Sequence, residues 1–262
     1  MSINGHCRLA RRAAMALGIW LASATCAVAA DIIFVSDFSS SHLIRWVRLH
    51  AKAGGASIVL EPALVTAKRF SGGGTTATIY IQVPPELNGN ASYPEFSALK
   101  TFGSVNGATP VEGDCVIVSG TITRFNGASE LTSAVWTQAG ADACGSTPIT
   151  AYASLFVSSV ATDGDPNTAG NQPGISAEPF ESVLIRLNEP VVLNTNGGSG
   201  PFQIGDAVSG TGVYLLVGPF LYQYNAVAST QLQSVTGVLD EFDTMTDTVY
   251  QLLPRTAADI VE

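Results

Sequence analysis

The 262-residue sequence is poor in bases, in cysteine and in histidine, and it lacks any apolar run long enough to span a bilayer. Its apolar stretch Ala13–Ala24 is 12 residues, too few for a membrane-crossing helix. From residue 71 onward there are 4 bases against 18 acids, a balance that repels a phosphate backbone and weakens nucleic-acid binding driven by charge. Histidines number three, and His6 falls in the leader described below. No Gly-x-Ser-x-Gly elbow, phosphate-binding glycine loop, His-Glu-x-x-His pair or zinc-spaced Cys/His set occurs. Those absences argue against a motif-defined enzyme, and the chain is expected to be non-catalytic.

Residues 1–30 read as a secretion signal. Arg8, Arg11 and Arg12 form a basic start, the apolar stretch follows, and Ala27-Val28-Ala29-Ala30 offers small residues for cleavage after Ala29 or Ala30. The remaining chain carries nine bases against 21 acids, a net charge of −12, and is expected to be exported to the periplasm or beyond. Cys7 and Cys26 leave with the leader, so Cys115 and Cys144 remain. In an oxidising compartment these two are expected to form a disulfide, the other reading being two unrelated buried thiols. The loop they close is roughly 30 residues, for which chain entropy gives about 3–4 kcal/mol.

What the sequence has in quantity is β-forming pattern. Cys115–Phe125 is a β-branched run, Asn126-Gly127 supplies the two positive-φ residues of a type I′ turn, and an extended run to Trp136 completes a hairpin. Val118–Asn126 then aligns with Val235–Asp243 at an offset of 117 positions, placing Gly120 opposite Gly237. The chain is one β-module used twice. Ahead of the first copy, Ile58–Phe70 alternates loosely with a bend at Pro62, Gly72-Gly73-Gly74 turns, and Thr75–Val83 is a strand stopped by Pro84-Pro85.

The second copy opens with the run Phe180–Leu187, continues through Val191-Val192-Leu193 and Val213–Val217, and ends on Tyr250–Ile260. Tyr152–Val160 reads as a further strand between the copies. Ser40-Ser41 before Leu43, Ile44 and Val47 predicts a short helix in the segment 31–56. The fold class is therefore all-β: two tandem OB-like Greek-key barrels, 57–147 and 148–262, after an N-terminal segment.

Several stretches carry a resemblance: Glu112-Gly113-Asp114-Cys115 through Leu131-Thr132, Ala177–Arg186, Val235–Asp240 and Leu252–Ile260, the last being the most specific. They resemble the paired OB-like accessory modules of secreted bacterial endonucleases, over about residues 57–262. The resemblance implies a non-catalytic region, because the metal-binding acids and catalytic histidines of the associated phosphodiesterase domain have no counterparts in these residues.

Candidate sites follow from chemistry. An OB barrel binds nucleic acid or sugar across its second and third strands, with aromatics to stack and bases for the backbone. Tyr80, Gln82, Lys68, Arg69 and Arg124 are the candidates of the first module; Tyr80 and Phe125 have a core reading as well. Asp163, Asp165 and Asn167 place oxygens at alternate positions of a tight loop, which suits calcium. Thr168 stands where an EF-hand needs glycine, so an Asx-rich turn is the default. No cofactor is otherwise expected. His42 and His50, on one helix, would lie about 80° and about 12 Å apart, too far for one ion. Two classes of function stay open: a binding module for extracellular DNA, RNA or polysaccharide, and an envelope protein that contacts another protein.

Overall fold

The computed structural model describes residues 43–50, 55–88, 93–105, 109–125, 127–140, 142–145, 148–161, 177–195, 200–206, 214–243 and 248–262. The expected helix is α1 (Leu43–His50). Ile44 and Val47 are fully buried while Leu49 faces solvent, as the helical spacing of its apolar residues requires. Its first turn leaves backbone N–H groups without helical partners, and a Glu61 Oε1 accepts from the Ile44 N–H at 3.0 Å.

The strands of the first half are β1 (Ser57–Val59), β2 (Ala63–Ser71), β3 (Thr76–Gln82), β4 (Ala98–Ser104), β5 (Cys115–Phe125) and β6 (Ala128–Gln138), with a single helical turn α2 (Pro85–Asn88) between β3 and β4. Pro62 marks the bend that separates β1 from β2. Their order is β1-β5-β2-β3-β4-β6, and β6 also pairs with β5. All pairings are antiparallel except β4 with β6, where Lys100 faces Glu130 and Thr101 faces Leu131. Asn126 lies outside the described residues, but Gly127 has the positive φ of 83° that the turn needs.

The second half contains β7 (Tyr152–Leu155), the turn α3 (Val157–Val160), β8 (Leu184–Asn188), β9 (Pro190–Thr195), β10 (Phe202–Asp206), β11 (Leu215–Val217), β12 (Ser234–Asp243), β13 (Thr248–Leu253) and β14 (Ile260–Val261). The order is β7-β8-β12-β13-β11-β10-β9, with β14 on β12. Here the parallel pairs are β11 with β13 and β7 with β8. The protein is thus predominantly β, in two sheets. One expected strand is shorter than its sequence suggests: after Leu155 the chain turns helical because the Asp206 carboxylate accepts from the Val157 and Ser158 N–H groups, at 2.7 and 3.0 Å.

The repeat is visible in the register. Ile58 faces Gly120 across β1 and β5, and Ile185 faces Gly237 across β8 and β12. Both glycines sit where backbone passes close. A Cβ on Gly120 would lie 2.8 Å from Leu131 Cγ and Thr132 O, and one on Gly237 would lie 2.7 Å from the Leu253 carbonyl. Each sheet packs an apolar core, Ile79, Ile81, Leu99, Val118 and Leu131 in the first and Ile185, Leu187, Ile204, Leu215 and Leu239 in the second. A third cluster joins them: Ala67 and Tyr80 pack on Leu184, Val238 and Leu253.

Candidate binding surfaces

Strand alternation sends Ala77, Ile79 and Ile81 into the first core and Thr78, Tyr80 and Gln82 to the opposite face. That face is covered, not wet. Tyr80 is fully buried in the joint between the two halves. Gln82 Oε1 accepts from the Leu184 N–H at 3.1 Å, and its Nε2 donates to the Tyr93 hydroxyl at 3.0 Å. Arg124, whose Nε bonds Gly127 O, sends Nη2 to Glu241 Oε1 of the second half at 3.4 Å.

Lys68 and Arg69 lie nearer solvent. Lys68 Nζ donates to Pro110 O at 3.1 Å and sits 5.3 Å from the Phe70 ring centroid, and the Arg69 guanidinium lies 4.0 Å over Phe220. Arg69, Thr78 and Phe102 form one cross-strand row, with Phe102 at the solvent edge. Of the five candidates, three are in the joint and two on its rim. Phe125, which had a core reading, is 56% exposed. Asp163, Asp165 and Asn167 lie outside the described residues. Cys115 and Cys144 are disulfide-bonded, with Cα atoms 5.8 Å apart.

The joint holds charges that the sequence does not mark as buried: Asp240 and Glu241, which with Asp243 and Asp247 read as an acidic cluster at a solvated hairpin tip, are 3% and 1% exposed. Arg48 reaches from α1 into the second half, where Nη1 donates to Glu181 O at 2.9 Å and Nη2 lies 3.2 Å from Glu178 Oε1 and 3.1 Å from Glu181 Oε2. The Tyr250 hydroxyl donates to Glu178 Oε2 at 3.0 Å, and the Ser129 N–H to Glu181 Oε1 at 3.0 Å. Lys100 Nζ lies 3.3 Å from both Asp240 oxygens.

Burial drives the protonation pattern. It raises the Glu181 pKa well above the usual carboxylate range against the pull of Arg48, and Glu178 and Glu241 push it the same way. Asp240 is raised by burial despite Lys100. Burial alone would lower Arg48, yet Glu181 and Glu178 hold its pKa above the ordinary value. Tyr250 is raised by burial and by Glu178.

Glu178, Glu181 and Glu241 bring carboxylate oxygens within 4.8 Å of one another, a spacing a metal ion could use. The guanidinium of Arg48 already stands against two of them, so the cation this cluster serves is Arg48 itself. Glu178 and Glu181 fall inside the resembling stretch Ala177–Arg186, which was the available signal. Nothing local marks Arg48, whose partners lie 130 and 133 residues away.

A cleft of about 570 Å³ opens beside the joint. Its floor is the Cys115–Cys144 disulfide with Leu64, Ile149 and Leu184, and its rim carries Glu112, Asp114, Gln138 and Arg255. Asp259 takes Arg255 Nε at 3.0 Å and Nη2 at 2.8 Å, while Nη1 donates to Thr66 O at 3.2 Å. Among the described residues no helix is long and apolar enough to cross a membrane. No family model matches the chain, and no curated protein matches it.

Proposed function

We propose that the chain is an exported, non-catalytic interaction protein, built from two OB-like barrels held as one unit, whose partner is a protein of the cell envelope. The barrel reading is supported by pairing order. In the first sheet the sequence β2-β3-β4-β6-β5 returns to β2, and in the second β9-β10-β11-β13-β12-β8 returns to β9 through the chain at Glu189. With β1–β2 and with β8–β9 each counted as one bent strand, the parallel pairs β4–β6 and β11–β13 unite the third and fifth strands of a five-stranded Greek-key order, and β7–β8 is a further parallel pair outside that count.

One observation carries the choice of partner: Tyr80 and Gln82, the residues best placed to read a nucleic acid, are 0% and 1% exposed because the second half sits on them. The surface left over is acidic, with few bases. A nucleic-acid reading keeps one support, the row of Arg69 with exposed Phe102, since a cation beside an open aromatic face suits single strands.

Fluorescence anisotropy with labelled single- and double-stranded DNA across a salt series separates the two. The protein-partner reading expects no measurable binding at low salt, together with cross-linking of the exported chain to a defined envelope protein that survives the Arg69→Ala/Phe102→Ala change. DNA binding with a salt slope, abolished by that double substitution, would replace it.

A further inference from the structure

The cleft beside the disulfide has a chemistry of its own, and its walls come from both halves of the chain. Ile149, Leu184 and Arg255 belong to the second half, while Leu64, Glu112 and Asp114 belong to the first. The disulfide ties the strand that carries Cys115 to the loop that carries Cys144, so the pocket is preorganised in the region where a ligand would otherwise have to order the chain. Its volume of about 570 Å³ is within the range of pockets that enclose a small ligand.

Two features set the ligand class. The floor is apolar, and the rim is acidic once the partners of its single base are counted. Asp259 holds Arg255 by two hydrogen bonds, at 2.8 and 3.0 Å, whereas Glu112 lies 3.9 Å from it. Asp114 accepts from the Val111 N–H at 2.7 Å, which shapes the rim without neutralising the carboxylate. Lys68 is not among the lining residues, and its ammonium is committed to Pro110 O. Lysine and arginine match such a surface: their methylene stems lie along apolar groups while their heads stay at a charged, wet edge. An acidic ligand would meet Glu112 and Asp114 instead.

We infer that this cleft docks an extended basic segment of the partner protein, a stretch that carries arginine or lysine beside an apolar residue. The inference rests on the protein-partner reading above and narrows it to one site and one chemistry.

The test uses the full exported chain with its disulfide intact, isotope-labelled, and the peptide acetyl-Leu-Arg-Ala-Arg-amide as probe. Its acidic counterpart, acetyl-Leu-Glu-Ala-Glu-amide, is the control. The basic peptide should shift the amide resonances of Gly113, Cys115, Ala139 and Gly145, and the binding should weaken as salt screens the rim. The isosteric double change Glu112→Gln/Asp114→Asn should weaken it by about 2- to 30-fold, the range of two exposed ion pairs. Glu112→Gln alone, at an exposed side chain, should show part of that loss. Shifts confined to other surfaces, equal response to the acidic peptide, or unchanged binding in the double variant would each overturn the site. DNA titrated into the same sample keeps the two levels apart. DNA binding overturns the protein-partner reading itself, while absence of both DNA and peptide binding overturns only the cleft.

Discussion

Arg124 and Glu241 stand 117 residues apart and form an ion pair, Nη2 to Oε1 at 3.4 Å. That separation equals the offset of the internal repeat, so the two residues occupy the same position in the two copies of the motif. Identical copies meeting in this way would set like charge against like, or leave the position empty of charge. Here one copy carries a base and the other an acid, and the joint is complementary. Next to Glu241, Asp240 takes Lys100, 140 residues away and so at a position outside the repeat equivalence. The repeat has diverged at the positions where it touches itself.

Arg48→Met should destabilise the protein by about 3–5 kcal/mol at pH 8, because it leaves Glu178 and Glu181 buried without their guanidinium. The loss should be smaller at pH 5. Glu181 already has a raised pKa, and without Arg48 it takes a proton more readily still. Urea denaturation of both proteins at the two pH values measures this, and an equal loss at each would mean that the cluster is not an ionised one.

Glu61 should make stability fall as pH rises towards neutrality. Burial raises its pKa from 4.5 to about 7, opposed by the Ile44 N–H. Between those values the folded protein keeps a proton that the unfolded chain releases, so the contribution is fully present below about 4.5 and lost as pH passes 7. The size is about 3 kcal/mol. Glu61→Gln keeps an acceptor for Ile44 and should flatten the profile between pH 5 and 8; a wild-type curve that rises across this window would contradict the assignment.

Reduction of the Cys115–Cys144 disulfide, or the change Cys115→Ser, should cost about 3–4 kcal/mol, the chain-entropy value for a loop of this length. The bond spans 29 residues and contains the whole β5–β6 hairpin. Denaturation midpoints with and without reductant report it. A shift near zero would show that the hairpin holds the loop closed unaided.

Gly237→Ala and Gly120→Ala should both destabilise by about 1–3 kcal/mol through overpacking. Gly237 should be the worse of the two, since the three atoms nearest its added carbon are backbone, of Leu253 and Pro254, while Gly120 meets the yielding Leu131 side chain as well as Thr132 O. Thermal melts of the pair test whether the two positions are physically, and not only textually, equivalent.

The strands and their repeat were legible because their signals are local. Alternation in Thr76–Gln82 and the β-branched run Cys115–Ile122 follow from a period of two residues, and Gly127 and Pro62 act on their own backbone. The helix at Leu43–His50 was legible for the same reason, and the pairing of Cys115 with Cys144 was legible as that of the two cysteines outside the expected leader. The helical turn at Val157 was not, because its cap comes from Asp206 on another strand.

The sequence alone determined β-content, the two-fold repeat, the acidic balance and the disulfide, each of which depends on neighbours along the chain or on composition. Only the tertiary structure decided which face of the first sheet meets water. Alternation puts Tyr80 and Gln82 on the face opposite the core, but it cannot say whether that face is open or covered by Leu184, Val238 and Leu253, more than 100 residues later. The same holds for Arg48. An arginine on a short helix reads as solvated, and burial of Arg48 becomes tolerable only because folding delivers Glu178 and Glu181 to it, since a charge leaves water at acceptable cost only when its partners arrive with it.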